Sequence, residues 1–123
     1  MKQLLWVGIG GGIGAMARFK LGGWVLQAVP AAVFPWGTFA VNVIGCLAAG
    51  ILAALAEKHG QFNPDLRLFL FTGILGGFTT FSAFGLETIH LLQRHQTGAA
   101  AANVMLSVGC GLLAFWLGSK LIA

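Results

Sequence analysis

Four long apolar runs, separated by three short polar connections, make up most of this chain: residues 3–26, 36–56, 66–92 and 99–122. A helix needs about 20 mostly apolar residues to cross the hydrocarbon of a bilayer. The pattern therefore predicts an all-α membrane protein of four transmembrane helices, a single domain spanning 1–123. The connections carry turn signals: Pro30 and Pro35 in 28–35, Gly60 and the Asn63-Pro64 pair in 57–65, and the polar stretch 93–98.

Composition agrees. With 58% hydrophobic and 8% charged residues and a mean hydropathy of +0.88, the chain has too little polar surface to coat a water-soluble globule. Its net charge of +4 comes from basic residues placed singly near segment ends. That excludes the clustered stripe of a nucleic-acid surface. Cys46 and Cys110 lie inside apolar segments without metal-ligand spacing and read as small packed side chains. Lys2 and the Ala15-Met16-Ala17 site outline a signal peptide. The many glycines from Gly8 to Gly23 suit close helix packing better than a signal core.

Charge decides orientation, because cytoplasmic loops normally hold the excess of Lys and Arg. Four spans put Lys2, Lys58, Arg67 and Lys120 on one side, and Arg18, Lys20 and Arg94 on the other. So small a bias permits insertion in both directions. Oppositely inserted copies can pair about a two-fold axis in the membrane plane, which predicts an antiparallel, dual-topology homodimer.

The run Gly8-Ile-Gly-Gly-Gly-Ile-Gly14 looks like a dinucleotide-binding loop, but no acid follows before Glu57. Gly8 with Gly12 and Gly10 with Gly14 are instead small-xxx-small packing pairs. Arg18 stands one turn later, either snorkelling to the interface or facing the mouth of an anion path. Thr38 and Asn42 share one face of the second span, continued by Gly45 and Ala49. Asn42 lies deep enough to need a partner, either as glue between helices or as an uncharged donor lining a pore.

The third span reads Gly73-Ile-Leu-Gly-Gly-Phe-Thr-Thr-Phe-Ser-Ala-Phe-Gly85. Glycines followed by Thr and Ser have poor helix propensity, so the helix is predicted to break near its middle. Irregular backbone at that depth survives where it is buried or lines a cavity, and its free carbonyls often hold a cation. Phe78, Phe81 and Phe84 recur at intervals of three, toward a common side if helical. Their ring edges are electropositive and, with hydroxyls such as Ser82, can replace water around a small anion. Glu87 ends this polar stretch. His59, His90 and His95 lie at or beyond span ends and read as solvated.

Three strings, Gly11-Gly-Ile-Gly-Ala-Met-Ala-Arg18, Gly37-Thr-Phe-Ala-Val-Asn42 and Gly76-Gly-Phe-Thr-Thr-Phe-Ser-Ala-Phe84 followed by Glu87, resemble the small bacterial fluoride channels called Fluc or CrcB. The resemblance runs through the whole chain. It implies a dual-topology antiparallel dimer in the bacterial inner membrane, with two pores each built from both subunits. In it, Asn42, Phe81 and Phe84 line the fluoride path, with Thr38 and Ser82 on its polar side. Arg18 and Glu87 sit at the vestibule, and the backbone carbonyls of Gly76 and Thr79 hold one structural sodium ion shared by the two chains. The last span departs from the family pattern: Ser107 is followed four residues on by Gly111, where a hydroxyl is usual. That leaves Ser107 as the expected polar contributor from this helix.

The alternative from another class is a small proton-coupled multidrug or guanidinium exporter, which needs a titratable carboxylate within the membrane. The first span has no acid, and Glu87 sits late in the third. An accessory subunit would explain the glycines but not a broken, Phe- and hydroxyl-lined third span. No nucleophile and base are spaced to cooperate as an enzyme.

Overall fold

The computed structural model describes residues 1–29, 33–60 and 62–122. Pro30, one of the two prolines expected to turn the first connection, lies outside the described residues. Four helical stretches are long and apolar enough to cross a membrane: Lys2–Ala28, Trp36–Lys58, Pro64–Gln93 and Thr97–Ile122. The first two are α1 and α2. The third divides into a leading arm, 64–78, and a trailing arm, Phe81–Gln93. Thr97–Ile122 is the last helix.

Local chemistry sets the ends of these spans. Gly60, at φ 74, follows the cap of α2 in the left-handed region, where a Cβ would crowd the next carbonyl. The Asn63 side chain caps the leading arm by accepting from Leu66 N–H at 2.8 Å, and Pro64 fits its first turn, where no N–H is needed. After Gln93 the chain reverses through paired bonds, Gln96 N–H to Leu91 O at 2.8 Å and His95 N–H to Leu92 O at 3.1 Å. This Schellman turn places His95 at φ 62, a position that favours glycine.

Packing inverts the rule of a water-soluble core. The buried residues of the last helix are Ala100, Asn103, Ser107, Gly111, Ala114 and Gly118, all small or polar, at intervals of three and four. Large apolar side chains such as Phe19, Leu112 and Leu121 face outward. In lipid, apolar side chains gain nothing by leaving the solvent, so association depends on close backbone approach at small residues.

Two parallel helix pairs result. In α1, Gly10 lies against Phe69 and Gly73 and Gly14 against Ile74 and Phe78 of the leading arm. In α2, Gly50 lies against the Phe115 carbonyl, and a Cβ on Gly118 of the last helix would sit 2.6 Å from the Leu47 carbonyl oxygen. Gly37 then joins the pairs by meeting the backbone of Gly22. The other predicted packing pair behaves differently: a Cβ at Gly8 or Gly12 would meet nothing within 4 Å.

Between Leu68 and Leu75 the leading arm is π-helical, a looser winding that had no signal in the sequence. The predicted break falls at Thr79 (φ −118, ψ 131) and Thr80 (φ −129, ψ 137), both extended. It separates Phe78 from Phe81 and Phe84. Phe78 belongs to the leading arm and packs beside Gly45, so the three rings do not share one helical face.

Candidate functional site

The two threonines satisfy much of the interrupted backbone. Thr79 donates its N–H (3.0 Å) and its hydroxyl (3.3 Å) to the Leu75 carbonyl. The Thr80 hydroxyl caps the trailing arm by accepting from Ala83 N–H at 3.3 Å. A β-branched residue tolerates the extended backbone, and its hydroxyl replaces a lost helical partner. In an unbroken helix the Gly76 carbonyl would take the Thr80 N–H and the Thr79 carbonyl the Ala83 N–H. Here Thr80 is extended and Ala83 is bound by a side chain. The Gly77 carbonyl is served from the neighbouring α1, by Arg18 Nε–H at 3.2 Å. Arg18 is thus tied to the electronegative C-terminal end of the leading arm.

Beside this contact lies a cavity of about 580 Å³. Its polar wall carries Arg18, Thr38, Asn42, Thr80, Glu87, His90 and Arg94, and Phe34, Trp36, Val41 and Leu91 contribute apolar surface. The Thr38 hydroxyl donates to Glu87 Oε1 at 2.6 Å, a short bond of the kind formed to a charged acceptor. Glu87 Oε2 is buried with no hydrogen-bond partner among the described residues. Two guanidinium groups against one carboxylate leave the cavity net positive. His90, expected to be a solvated end residue, is exposed and also lines this cavity.

The rings stand elsewhere. Phe81 is 84% exposed, and its ring centroid is 5.7 Å from that of Phe84 at an interplanar angle of 41°. Neither ring, nor the exposed Ser82, is among the residues lining the cavity that holds Asn42. One copy therefore brings together Arg18, Thr38, Asn42 and Glu87 and keeps Phe81, Phe84 and Ser82 apart from them.

Ser107 is buried in the last helix and donates its hydroxyl to Asn103 Oδ1 at 3.2 Å. The same helix also carries Asn103, which is fully buried, its Nδ2 donating to Thr88 of the trailing arm at 2.9 Å. Sequence reasoning passed over Asn103 and Thr88. The signal was available in the stripe of small and polar residues three and four apart that ends on Gly118.

A four-span, multi-pass membrane protein with a broken third span and a polar cavity beside the break is the class these features define. The sequence profile described as CrcB-like protein, Camphor Resistance (CrcB), matches residues 5–119. Relatives named fluoride-specific ion channel FluC include one from Methylobacillus flagellatus, 52% identical over 122 residues and covering 99% of this chain and 95% of the relative. Another, from Novosphingobium aromaticivorans, is 49% identical over 123 residues (99% and 97% covered). A third, from Rhizobium etli, is 45% identical over 118 residues (96% and 94%). The chain belongs to the CrcB family.

Proposed function

We propose that two copies of this chain, inserted in opposite directions in the bacterial cytoplasmic membrane, form a fluoride-selective channel with two pores that lets fluoride leave the cell passively. The observation that carries the reading, beside the names of the relatives, is the separation of Phe81 from the Asn42 cavity in one copy. A ring 84% exposed at the start of the trailing arm is free to complete the pathway of a second copy, while its own cavity receives the partner's ring. The open backbone at Gly8 and Gly12 and the near-equal charge on the two sides also suit an antiparallel pair.

Fluoride is small and tightly hydrated, so stripping its water costs tens of kcal/mol unless other dipoles replace it. Arg18 and Arg94 raise the local anion concentration at the cavity. The Asn42 amide and the Ser82 hydroxyl supply neutral donors, the edges of Phe81 and Phe84 supply weaker positive surface, and Thr38, whose hydroxyl proton is held by Glu87, would reach the ion only by exchanging that bond. Sites without formal charge hold the ion shallowly enough for it to leave. The Ser107 hydroxyl proton is engaged by Asn103, so Ser107 would reach the ion only by exchanging that bond. Glu87 is held by Thr38 at the vestibule.

The carbonyls of Gly76 and Thr79, without their helical donors, are oxygen ligands of the kind a sodium ion takes. Bound there and shared with a second copy, the ion would supply a fixed positive charge at the break. Among the described residues no cluster of acidic, His or Cys side chains competes for this role.

The test is fluoride efflux from liposomes carrying the purified protein, started with a potassium ionophore, with chloride-loaded vesicles and Phe81→Ile alongside. Rapid loss of fluoride but not chloride is expected. Phe81→Ile should lower it by about tenfold or more, the equivalent of one aromatic contact. No fluoride flux from folded protein refutes the channel.

A further inference from the structure

The trailing arm carries Phe81 and Phe84, yet the break leaves it without a helical connection to the leading arm. The tight backbone contacts of the fold join α1 to the leading arm, α2 to the last helix, and α1 to α2 at Gly22 and Gly37. The trailing arm rests mainly on the last helix. It buries Leu91, and among the described residues two side-chain hydrogen bonds tie it to other helices: Thr38 to Glu87, and Asn103 to Thr88.

The second tie belongs to a directed chain of donors. Ser107 Oγ–H donates to Asn103 Oδ1 at 3.2 Å, Asn103 Nδ2–H donates to Thr88 Oγ1 at 2.9 Å, and Thr88 Oγ1–H donates to the Phe84 carbonyl at 2.8 Å. Thr88 gives its proton to Phe84, so it receives one from Asn103. Ser107 gives its own, so the amide oxygen must face Ser107. Asn103 is 0% exposed and its amide is held from both ends. A primary amide at that depth has no water to turn to, so leaving it unpaired is strongly unfavourable. Sliding the trailing arm along the last helix, or rotating it, would break the bond at Thr88 and expose the helix to that penalty.

We infer that Asn103 is a positioning residue for the ion pathway: its bond to Thr88 fixes the register of the trailing arm on the last helix, and through it the place of Phe84 and of Phe81 beside it. The inference rests on the reading of those two rings as pathway residues. It assigns Asn103 no contact with the ion.

Two substitutions at Thr88 separate this from ordinary packing. Thr88→Val keeps the shape and removes the hydroxyl that receives the Asn103 N–H; Thr88→Ser keeps the hydroxyl and removes the methyl group. In the liposome assay, Thr88→Val is expected to lower fluoride efflux by about tenfold and to weaken discrimination against chloride, while Thr88→Ser stays within about twofold of the parent. Equal losses in both variants, or parental efflux and discrimination in Thr88→Val, overturn the inference. Should Thr88→Val yield no dispersed protein, Thr88→Ala is compared with Thr88→Ser in the same way, and equal flux from those two overturns it. If the parent passes chloride freely or no fluoride at all, the channel reading falls, and this inference falls with it.

Discussion

Replacing glycine by alanine at two positions should have opposite effects. A Cβ on Gly50 would collide with the Phe115 carbonyl oxygen and lie 2.9 Å from its carbon and 3.0 Å from its Cα. All three atoms are backbone, so no side-chain rotation relieves the contact and α2 must move off the last helix. Overpacking of this kind costs about 1–3 kcal/mol. Alanine's better helix propensity returns about 1 kcal/mol. Gly50→Ala should thus destabilise by up to about 2 kcal/mol. A Cβ on Gly8 meets nothing within 4 Å, so within one chain Gly8→Ala should gain up to about 1 kcal/mol. Reversible unfolding in mixed micelles, followed by fluorescence of the four tryptophans, measures both. Equal stability of the two variants would refute the assignment of Gly50 to a backbone contact. Cross-linking adds a readout of the second copy: if that copy covers Gly8, Gly8→Ala lowers the dimer fraction despite its gain in helix propensity.

Thr38→Val removes the 2.6 Å donor to Glu87 and leaves a carboxylate whose other oxygen is already unpartnered. The same unfolding assay should show a loss of about 1.5–3 kcal/mol, the range for hydrogen bonds to charged groups, with Thr38→Ser close to the parent; no loss in Thr38→Val would mean the bond contributes nothing. His95→Gly relieves a left-handed residue at φ 62 and should raise stability by about 1 kcal/mol without changing flux. A decrease would show that the His95 side chain makes a contact worth more than the backbone strain.

The spans were legible because hydropathy over about 20 residues is a strong signal in lipid. The break was legible because Gly76, Gly77, Thr79 and Thr80 are each poor in a helix interior and fall together. Other features were beyond such arguments. The π-helical turns run from Leu68 to Leu75 and include Gly73, whose backbone meets Gly10, a contact between residues far apart in sequence. Arg18 read equally well as a snorkelling side chain or a vestibule charge, and its bond to the Gly77 carbonyl depends on where the third span breaks. Asn103 was missed because attention to apolar periodicity looks for the wrong face. In this bilayer protein the buried stripe is the one lacking large side chains, and read that way the run from Ala100 to Gly118 identifies itself.

The pairing of α2 with the last helix also bears on synthesis. Gly50 emerges from the ribosome roughly 65 residues before its partner Phe115, a wait of about 3–13 s at ordinary elongation rates. During that interval the α2 groove must be filled by lipid tails or by the insertion machinery. A nascent chain halted before residue 115 would therefore keep this groove covered by lipid or by the insertion machinery, without the backbone contact that Phe115 makes with Gly50 in the finished protein.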